Sequence, residues 1–208
     1  PEAVAQANMT FMEVIRQPAV WKSFLLIFFN NTAAWGYMAW LPTYLVKNRG
    51  FEMTKMGVIA SLPFFAGTIA AILTGYLIDR QFKNIRPQVL VVAEILMALF
   101  LYLMFTATSQ TEVIIFNIAT GFLCFSTMAI TFSLPITEVP KEIAGRAMGI
   151  VNTGGQAAAF LAPIVVGLLV VTGADGVQNY NTAFGYLCFA NLATAVIALF
   201  YRSRKKAR

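Results

Sequence analysis

Residues 55–86 read KMGVIASLPFFAGTIAAILTGYLIDRQFKNIR, and this stretch decides the class of protein. Residues 55–78 are almost entirely apolar, and a helix that crosses a bilayer needs about 20 such residues. The chain then becomes polar at once, with Asp79 and Arg80 followed by Lys83 and Arg86. Because positively charged residues stay on the cytoplasmic side of a membrane, the stretch predicts a membrane-spanning helix that ends in the cytoplasm.

The composition of the whole chain agrees with this prediction. Of its 208 residues, 59% are hydrophobic and 12% are charged, against about 45–50% and about 25% in soluble domains. These values exclude a soluble enzyme, a disordered tail, a coiled coil and a disulfide scaffold. The chain has no His, and its two cysteines, Cys124 and Cys188, lie in apolar runs. We therefore predict buried, inert thiols rather than a zinc site or a redox pair.

Six apolar runs are bounded by charged residues, Pro or Gly. They cover residues 21–46, 55–78, 87–106, 113–137, 144–172 and 182–201. All are predicted to be helices, because lipid offers no hydrogen-bond partner to an exposed backbone. The runs are continuous and lack the two-residue alternation of barrel strands. The predicted fold class is therefore an all-α integral membrane protein with six transmembrane helices.

The distribution of Lys and Arg predicts the orientation. Twelve of the fifteen lie in one set of connections and at the chain ends, and three lie on the opposite side. Both termini are therefore predicted to be cytoplasmic. Three segments follow: a cytoplasmic linker at 1–20, a transmembrane bundle at 21–201, and a basic tail at 202–208 that would contact lipid headgroups rather than nucleic acid. The linker is either amphipathic on the membrane surface over residues 11–15 or disordered.

Residues 75–80 (GYLIDR), with Lys83 and Arg86, resemble the loop signature of the major facilitator superfamily, in which a Gly is followed after three residues by Asp-Arg and a basic cluster. The signature lies between the second and third helices of each six-helix half, which is its place here. The sequence departs from the pattern at Phe82, where the family usually has Gly. Residues 140–149 resemble the matching segment of a C-terminal half. The resemblance implies helices 7–12 of a transporter, partnered by an N-terminal six-helix half.

A narrower resemblance points to the anion:cation symporters. Residues 35–45 (WGYMAWLPTYL), followed by 49–51 (RGF), resemble the seventh helix of that family, and residues 130–133 and 149–152 resemble its tenth and eleventh. Trp40 and Tyr44 are equally explained as anchors at the membrane interface. The resemblance implies secondary active transport of a sugar-acid-like organic anion by alternating access in the bacterial plasma membrane. Because no Lys or Arg lies at mid-membrane in this chain, the cationic partner of the anion and the site of the coupling ion, proton or sodium, are expected in the other half.

Polar side chains inside the spans are the candidate substrate site. Asn152 and Gln156 are four residues apart, so they share one face of a helix. Amides can both donate and accept hydrogen bonds, which suits a polyhydroxylated small molecule. The alternative is that these amides and hydroxyls bond neighbouring helices. The predicted substrate-binding residues are Asn31, Trp35, Thr131, Asn152 and Gln156.

Charged residues suggest two further roles. Glu94 lies well inside the third span, where it is either a proton relay or the partner of a residue such as Arg80 or Arg86 or of a neighbouring helix. Charges at the cytoplasmic helix ends predict a conformational latch or a solvated cluster. The latch residues are Asp79, Arg80, Glu138 and Arg146. The partner of Asp79 is expected in the other half, so Asp79 should be unpaired within this one.

Small residues and prolines mark places where the helices could be unusual. The glycines of 145–159 predict close helix approach or a hinge. Prolines within the apolar runs predict interrupted helices of the kind that accompany binding sites at mid-membrane. They are Pro42, Pro63, Pro135 and Pro163.

The sequence offers no catalytic residue, metal site or cofactor site, so the chain is predicted not to be an enzyme. Two alternatives to an organic-anion transporter stay open. One is a major facilitator that carries a neutral sugar or a drug. The other is a self-contained six-helix oligomeric membrane protein, either a channel or a scaffold. The loop signature at 75–80 speaks against the second, because it belongs to a protein built of two halves.

Overall fold

A computed structural model describes residues 9–173 and 178–201, so the tail 202–208 and residues 1–8 of the predicted linker lie outside the described residues. Within those ranges the chain is helical almost throughout. The helices are α1 (Phe11–Ile15), α2 (Pro18–Lys47), α3 (Met53–Arg80), α4 (Arg86–Thr106), α5 (Gln110–Ser133), α6 (Pro135–Glu138), α7 (Ala144–Leu169) and α8 (Asn181–Leu199), with a 3₁₀ turn at Lys141–Ile143. Two short antiparallel strands, β1 (Val171–Thr172) and β2 (Gln178–Asn179), join α7 to α8.

Six long helices occupy the six predicted apolar runs. Five stretches are long and apolar enough to cross a membrane: α3, α4, Gln110–Glu138, Lys141–Leu169 and α8. The remaining long helix, α2, has 30 residues, but the adjacent amides of Asn30 and Asn31 lower the hydropathy of its middle. That α2 also crosses the membrane stays a prediction.

The predicted amphipathic stretch 11–15 is helical and has its own start signal. Thr10 and Glu13 form a capping box in which the Thr10 side chain accepts from the Glu13 N–H and the Glu13 carboxylate accepts from the Thr10 N–H. That backbone hydrogen bond holds the pKa of Glu13 below its usual range. Val14 is fully buried and packs in one cluster with residues of α7 such as Ala147 and Val151. This short helix is thus attached to the bundle by its apolar face.

The prediction of helices interrupted at proline is correct at one position and wrong at three. Pro135 separates α5 from α6, because proline has no N–H to continue the hydrogen-bond ladder. Helices α2, α3 and α7 continue through Pro42, Pro63 and Pro163. Neighbouring helices can satisfy the carbonyl that a proline leaves unpaired in a membrane helix, so the helix need not break.

Pro63 shows how such a carbonyl is satisfied. The residue four positions before it is Ile59, whose carbonyl would otherwise accept from residue 63. The Nδ2 of Asn117 on α5 donates to that Ile59 carbonyl at 3.1 Å. The Tyr37 hydroxyl of α2 donates to the Asn117 Oδ1 at 2.7 Å. Asn117, fully buried, therefore connects three helices around the gap that Pro63 leaves.

Glycines set the distance between two pairs of helices, α2 with α7 and α3 with α5. A Cβ at Gly155 would lie 2.4 Å from the Asn31 amide nitrogen, and one at Gly154 would lie 2.9 Å from the Phe24 carbonyl oxygen. These contacts confirm the prediction of close helix approach in this segment. Gly149, in contrast, faces open space.

The two ends of the bundle are fixed by different polar contacts. At one end, the start of α2 meets the end of α8, where Ser23 and Tyr201 share a hydrogen bond of 2.8 Å. At the other, the Arg49 guanidinium donates to the carbonyl oxygens of Met104, in the last turn of α4, and of Ala107, just after it. The described chain thus begins and finishes at the same end of the bundle, as the sequence predicts. That this end is cytoplasmic stays a prediction.

Candidate functional site

Asn152 and Gln156 lie on an exposed face of α7. The opposite side of α7 carries Gly154, Gly155 and Ala158, which are buried where that helix approaches α2. Within the described residues, neither amide has a hydrogen-bond partner. Asn152 and Gln156 therefore do not join helices of this chain to one another, and their amides are available to a ligand or to another polypeptide.

Two of the other predicted site residues lie inside the bundle. Asn31 is 3% exposed and Thr131 is fully buried. The Asn31 Oδ1 and the Thr131 Oγ1 both lack a hydrogen-bond partner in the described part of the chain. Asn31 faces Gly155, next in sequence to Gln156, so the structure brings this amide beneath the exposed face of α7. Within residues 9–173 and 178–201, no side-chain hydrogen bond joins Thr131 to another predicted site residue.

Trp35, the fifth predicted residue, is 43% exposed and lines an open recess of about 500 Å³. Helices α2, α3 and α5 form this recess. Its lining consists of Trp35, Met38, Ala39, Phe64, Phe125 and Met128. Sequence reasoning identified Trp35 but missed the lining from α3 and α5, because aromatic residues in an apolar run give no sign of which side faces a cavity. The wall is apolar and would contact the nonpolar part of a ligand.

Glu94 lies at the centre of a buried polar cluster of three helices. Its Oε1 accepts from the Asn30 Nδ2 of α2 at 2.8 Å, and the same Nδ2 donates to the Thr127 Oγ1 of α5 at 3.1 Å. All three side chains are at most 1% exposed. The predicted pairing of Glu94 with Arg80 or Arg86 is therefore wrong, and the predicted alternative of a neighbouring helix is confirmed.

The structure does not bring the four predicted latch residues together. Asp79 accepts from the Arg86 Nη2 at 2.8 Å, so the expectation that Asp79 is unpaired within this half is wrong. Asp79 and Arg86 are only seven residues apart, on either side of the short loop between α3 and α4, and this proximity explains the pair. The Asp79 side chain is 76% exposed, and exposed ion pairs contribute at most about 1 kcal/mol.

The remaining latch residues have separate partners. Glu138 forms an ion pair with Lys22 at the start of α2. The Arg80 guanidinium lies 5.0 Å from the centre of the Tyr76 ring. Arg146 donates to the Met9 carbonyl and so joins α7 to the segment before α1. The four predicted latch residues therefore lie at helix ends, and each has a partner outside the set of four.

Within the described residues, no group of three or more His, Cys, Asp or Glu side chains could hold a metal ion. The candidate site is therefore a surface of amides on α7, a buried amide beneath it, and an apolar recess beside Trp35. The chemistry of these groups is binding by hydrogen bonds and apolar contact.

This helical architecture is shared with a membrane protein of known structure. A similar fold occurs in the crystal structure of an auto-inhibited POT family peptide transporter, with a TM-score of 0.65, 13% sequence identity, and coverage of 92% of this chain and 39% of that one. At this identity the likeness shows the fold alone. The matched part is less than half of that transporter's length.

The sequence profile of the Major Facilitator Superfamily matches residues 23–208, and the chain belongs to that family. Its fold and its relatives are those of transporters, not of enzymes. With five helices able to cross a membrane, it is an integral membrane protein of the bacterial plasma membrane.

Several curated relatives share part of their sequence with this chain. The "Probable galactarate/D-glucarate transporter GarP" of Escherichia coli K12 is 28% identical over 178 residues, which cover 83% of this chain and 39% of the relative. The "Probable sulfoacetate transporter SauU" of Cupriavidus necator is 33% identical over 158 residues, covering 73% and 36%. The glycerol-3-phosphate transporter of Bacillus subtilis is 26% identical over 209 residues, covering 96% and 45%. The chain thus spans less than half the length of these relatives.

Proposed function

We propose that this chain is the C-terminal half of a secondary active transporter that carries a small organic anion of the sugar-acid type. An N-terminal six-helix half is its proposed partner, and the two halves would alternate access to a substrate held between them. The names of the relatives support the class of substrate, because they include transporters of galactarate, D-glucarate and sulfoacetate.

The observation that carries the proposal is the exposed, unpartnered amide pair of Asn152 and Gln156 on a helix long and apolar enough to span a membrane. An amide on a lipid-facing surface is costly, so such a pair is expected to face protein or a water-filled cavity. Asn31 lies behind the pair with a free oxygen, and Trp35 would contact the nonpolar carbons of the substrate. These residues are the proposed substrate-binding set, together with Thr131.

The negative charge of the substrate requires a partner that these residues do not supply. Asn31, Thr131, Asn152 and Gln156 are neutral, and the recess at Trp35 is lined by apolar side chains. A carboxylate is bound most strongly by a guanidinium or an ammonium group. We therefore place the cationic partner in the N-terminal half, which would make substrate binding dependent on both halves.

The conformational latch at the cytoplasmic end also stays a proposal, in a changed form. Arg80 and Arg146 would meet the other half, while Asp79 and Glu138 would hold the helix ends through Arg86 and Lys22. In this arrangement the carboxylates would orient the ends of α3 and α6, and the guanidinium groups would contact the facing half in one conformation.

The test is substrate affinity in the complete carrier. Asn152→Ala removes one amide, and loss of a hydrogen bond to a neutral or charged group costs about 0.5–3 kcal/mol, which corresponds to roughly two- to 150-fold in affinity for galactarate or sulfoacetate. Thr153→Ala is the matched control, because Thr153 is also exposed but its hydroxyl donates to the Gly149 carbonyl of its own helix.

Two results would contradict the proposed site. Asn152→Ala could lower the melting temperature and leave affinity unchanged, which would mean that the amide joins the two halves. Binding of neutral sugars or of lipophilic cations in preference to sugar acids would overturn the proposed class of substrate.

A further inference from the structure

Glu94 has a buried carboxyl group with one oxygen that no donor reaches. Its side chain is fully buried in α4, and its Oε2 has no hydrogen-bond partner within the described residues. The Oδ1 of Asn30, on the amide that already contacts Glu94, also lacks one. Buried polar atoms are paired in the great majority of cases, so two unpaired acceptors in one cluster require a cause.

The donors of this cluster are fully used. The Asn30 Nδ2 has two hydrogens and donates to the Glu94 Oε1 and to the Thr127 Oγ1. The Thr127 hydroxyl has a single hydrogen, for which the Cys124 carbonyl of its own helix, at 3.0 Å, and the Glu94 carboxylate compete. The cluster therefore has two acceptors too many, and one added proton would supply the missing donor. Bound to Oε2, that proton turns the oxygen from an acceptor into a donor, and the Asn30 Oδ1 is the other unpaired acceptor of the same cluster.

No positive charge compensates an ionised Glu94. None of the ion pairs found within residues 9–173 and 178–201 includes it. Helix α2 faces Glu94 with Asn30, α5 faces it with Thr127 and the thiol of Cys124, and α8 places the Cys188 thiol on the Ala98 carbonyl one turn away. An ion with no compensating charge in a dry interior costs several kcal/mol, whereas the neutral acid does not.

We propose that Glu94 is a proton-binding site of the transport cycle, occupied while the cluster with Asn30 and Thr127 is closed. The proposal rests on the proposed transport function. The proton adds to the Glu94 Oε2, and it leaves to water when α2 and α4 separate enough to hydrate the carboxylate. The proton is thus a coupling ion bound by this half of the carrier.

Helix α2 connects this site to the substrate residues. Asn30 and Asn31 are adjacent, and Asn30 contacts Glu94 while Asn31 faces Gly155 beneath the exposed amides of α7. Any displacement of α2 that frees the Glu94 carboxylate also moves Asn31. Proton release and substrate release would therefore occur together.

The decisive variant is Glu94→Gln, which mimics the protonated acid and cannot release a proton. The complete carrier is reconstituted in vesicles with the membrane potential held at zero, and a tenfold proton gradient is imposed. Each coupled proton contributes a factor of about ten to substrate accumulation under this gradient, so Glu94→Gln should accumulate about tenfold less. Counterflow, the exchange of labelled for unlabelled galactarate, needs no net proton movement and should continue. Glu142→Gln, which changes an exposed carboxylate, is the matched control and should behave as the unmodified carrier.

A second measurement does not depend on transport. The infrared carbonyl stretch of a protonated carboxylic acid should be present at neutral pH in the unmodified carrier and in Glu142→Gln, and absent in Glu94→Gln. Asn30→Ala, which removes the hydrogen bond to Oε1, should move this band without abolishing it, so the assignment does not rest on one variant.

Three outcomes would overturn the proposal. Glu94→Gln could accumulate substrate as well as the unmodified carrier. The carboxylic acid band could be missing at neutral pH. Glu94→Gln could lose a sodium-driven rather than a proton-driven accumulation, which would make the bound cation sodium. If the unmodified carrier exchanged no sugar acid at all, the proposed function would fail, and the infrared band would still decide whether Glu94 holds a proton.

Discussion

Asn117→Ala should destabilise the bundle because it leaves one buried group without a partner and removes the shorter hydrogen bond of a second. The Ile59 carbonyl would lose the donor that replaces the missing N–H of Pro63. The Tyr37 hydroxyl would lose its acceptor at 2.7 Å and keep only the backbone carbonyl of residue 117, at 3.3 Å. A buried group left unpaired costs about 1–3 kcal/mol, but single hydrogen bonds between membrane helices average about 0.6 kcal/mol. We therefore expect a loss of about 2–3 kcal/mol in the free energy of unfolding.

Pro63→Ala provides the internal control. Alanine restores the N–H at position 63, so the Ile59 carbonyl regains a partner within its own helix. In that background Asn117→Ala should cost less, by about 0.6–1.7 kcal/mol, the range measured for hydrogen bonds between membrane helices. A double-mutant cycle isolates this coupling from the cavity that removal of the proline ring leaves.

The measurement is unfolding of the four proteins in one detergent, by thermal or chemical denaturation. The reasoning predicts that Asn117→Ala lowers stability in both backgrounds, and by a smaller amount when residue 63 is alanine. Equal losses in the two backgrounds, within about 0.3 kcal/mol, would refute the assignment of Asn117 as the substitute partner of Ile59. Substrate affinity should change little, since Asn117 is fully buried and not a proposed site residue.

Two further predictions concern contacts that hold the helices. Arg49→Gln removes a guanidinium that donates to the Tyr44 hydroxyl and to carbonyls at the end of α4 and just after it, and it should cost about 2–3 kcal/mol of stability. Arg49→Lys should recover only part of this loss, because an ammonium cannot reproduce the planar set of donors of a guanidinium. An undiminished melting temperature in Arg49→Gln would contradict this role. Gly155→Ala would place a Cβ 2.4 Å from the Asn31 nitrogen and should cost about 1–3 kcal/mol of stability. The control Gly149→Ala adds its Cβ in open space and should be neutral or stabilising by up to about 1 kcal/mol. Equal effects of the two variants on the melting temperature would argue against the close contact at Gly155.

The helices could be predicted because a continuous apolar run is itself the physical requirement for crossing a bilayer. The run at 55–78 lies within Met53–Arg80, and the run at 182–201 nearly coincides with Asn181–Leu199. The break after Ser133 could also be predicted, from the missing N–H of Pro135. The same rule failed at Pro63, because the helix continues where another residue replaces the missing donor. That residue is Asn117, which lies 58 residues from Ile59 in sequence but adjacent to it in space.

The contacts of the charged side chains could not be predicted for the same reason. Sequence position places Asp79, Glu138 and Arg146 at one level of the bundle, but the rotation of each helix decides which of them meet. Glu94 contacts Asn30, 64 residues earlier in the chain, and neither residue carries a signal that identifies the other. For the candidate site, spacing correctly put Asn152 and Gln156 on one face, while only packing could show that this face is open.

The two asparagines of α2 explain how a proton and a substrate could be coupled without sharing a site. Successive residues of a helix point about 100° apart, so Asn30 and Asn31 necessarily contact different neighbours, Glu94 on one side and the Gly155 turn of α7 on the other. A rigid helix cannot change one contact and keep the other unchanged. Coupling free energy is reciprocal, so whatever protonation of Glu94 does to substrate affinity, substrate must do to proton affinity. The glycines at 154 and 155 make this transmission short, because α7 places no side chain of its own at these two positions between its backbone and α2.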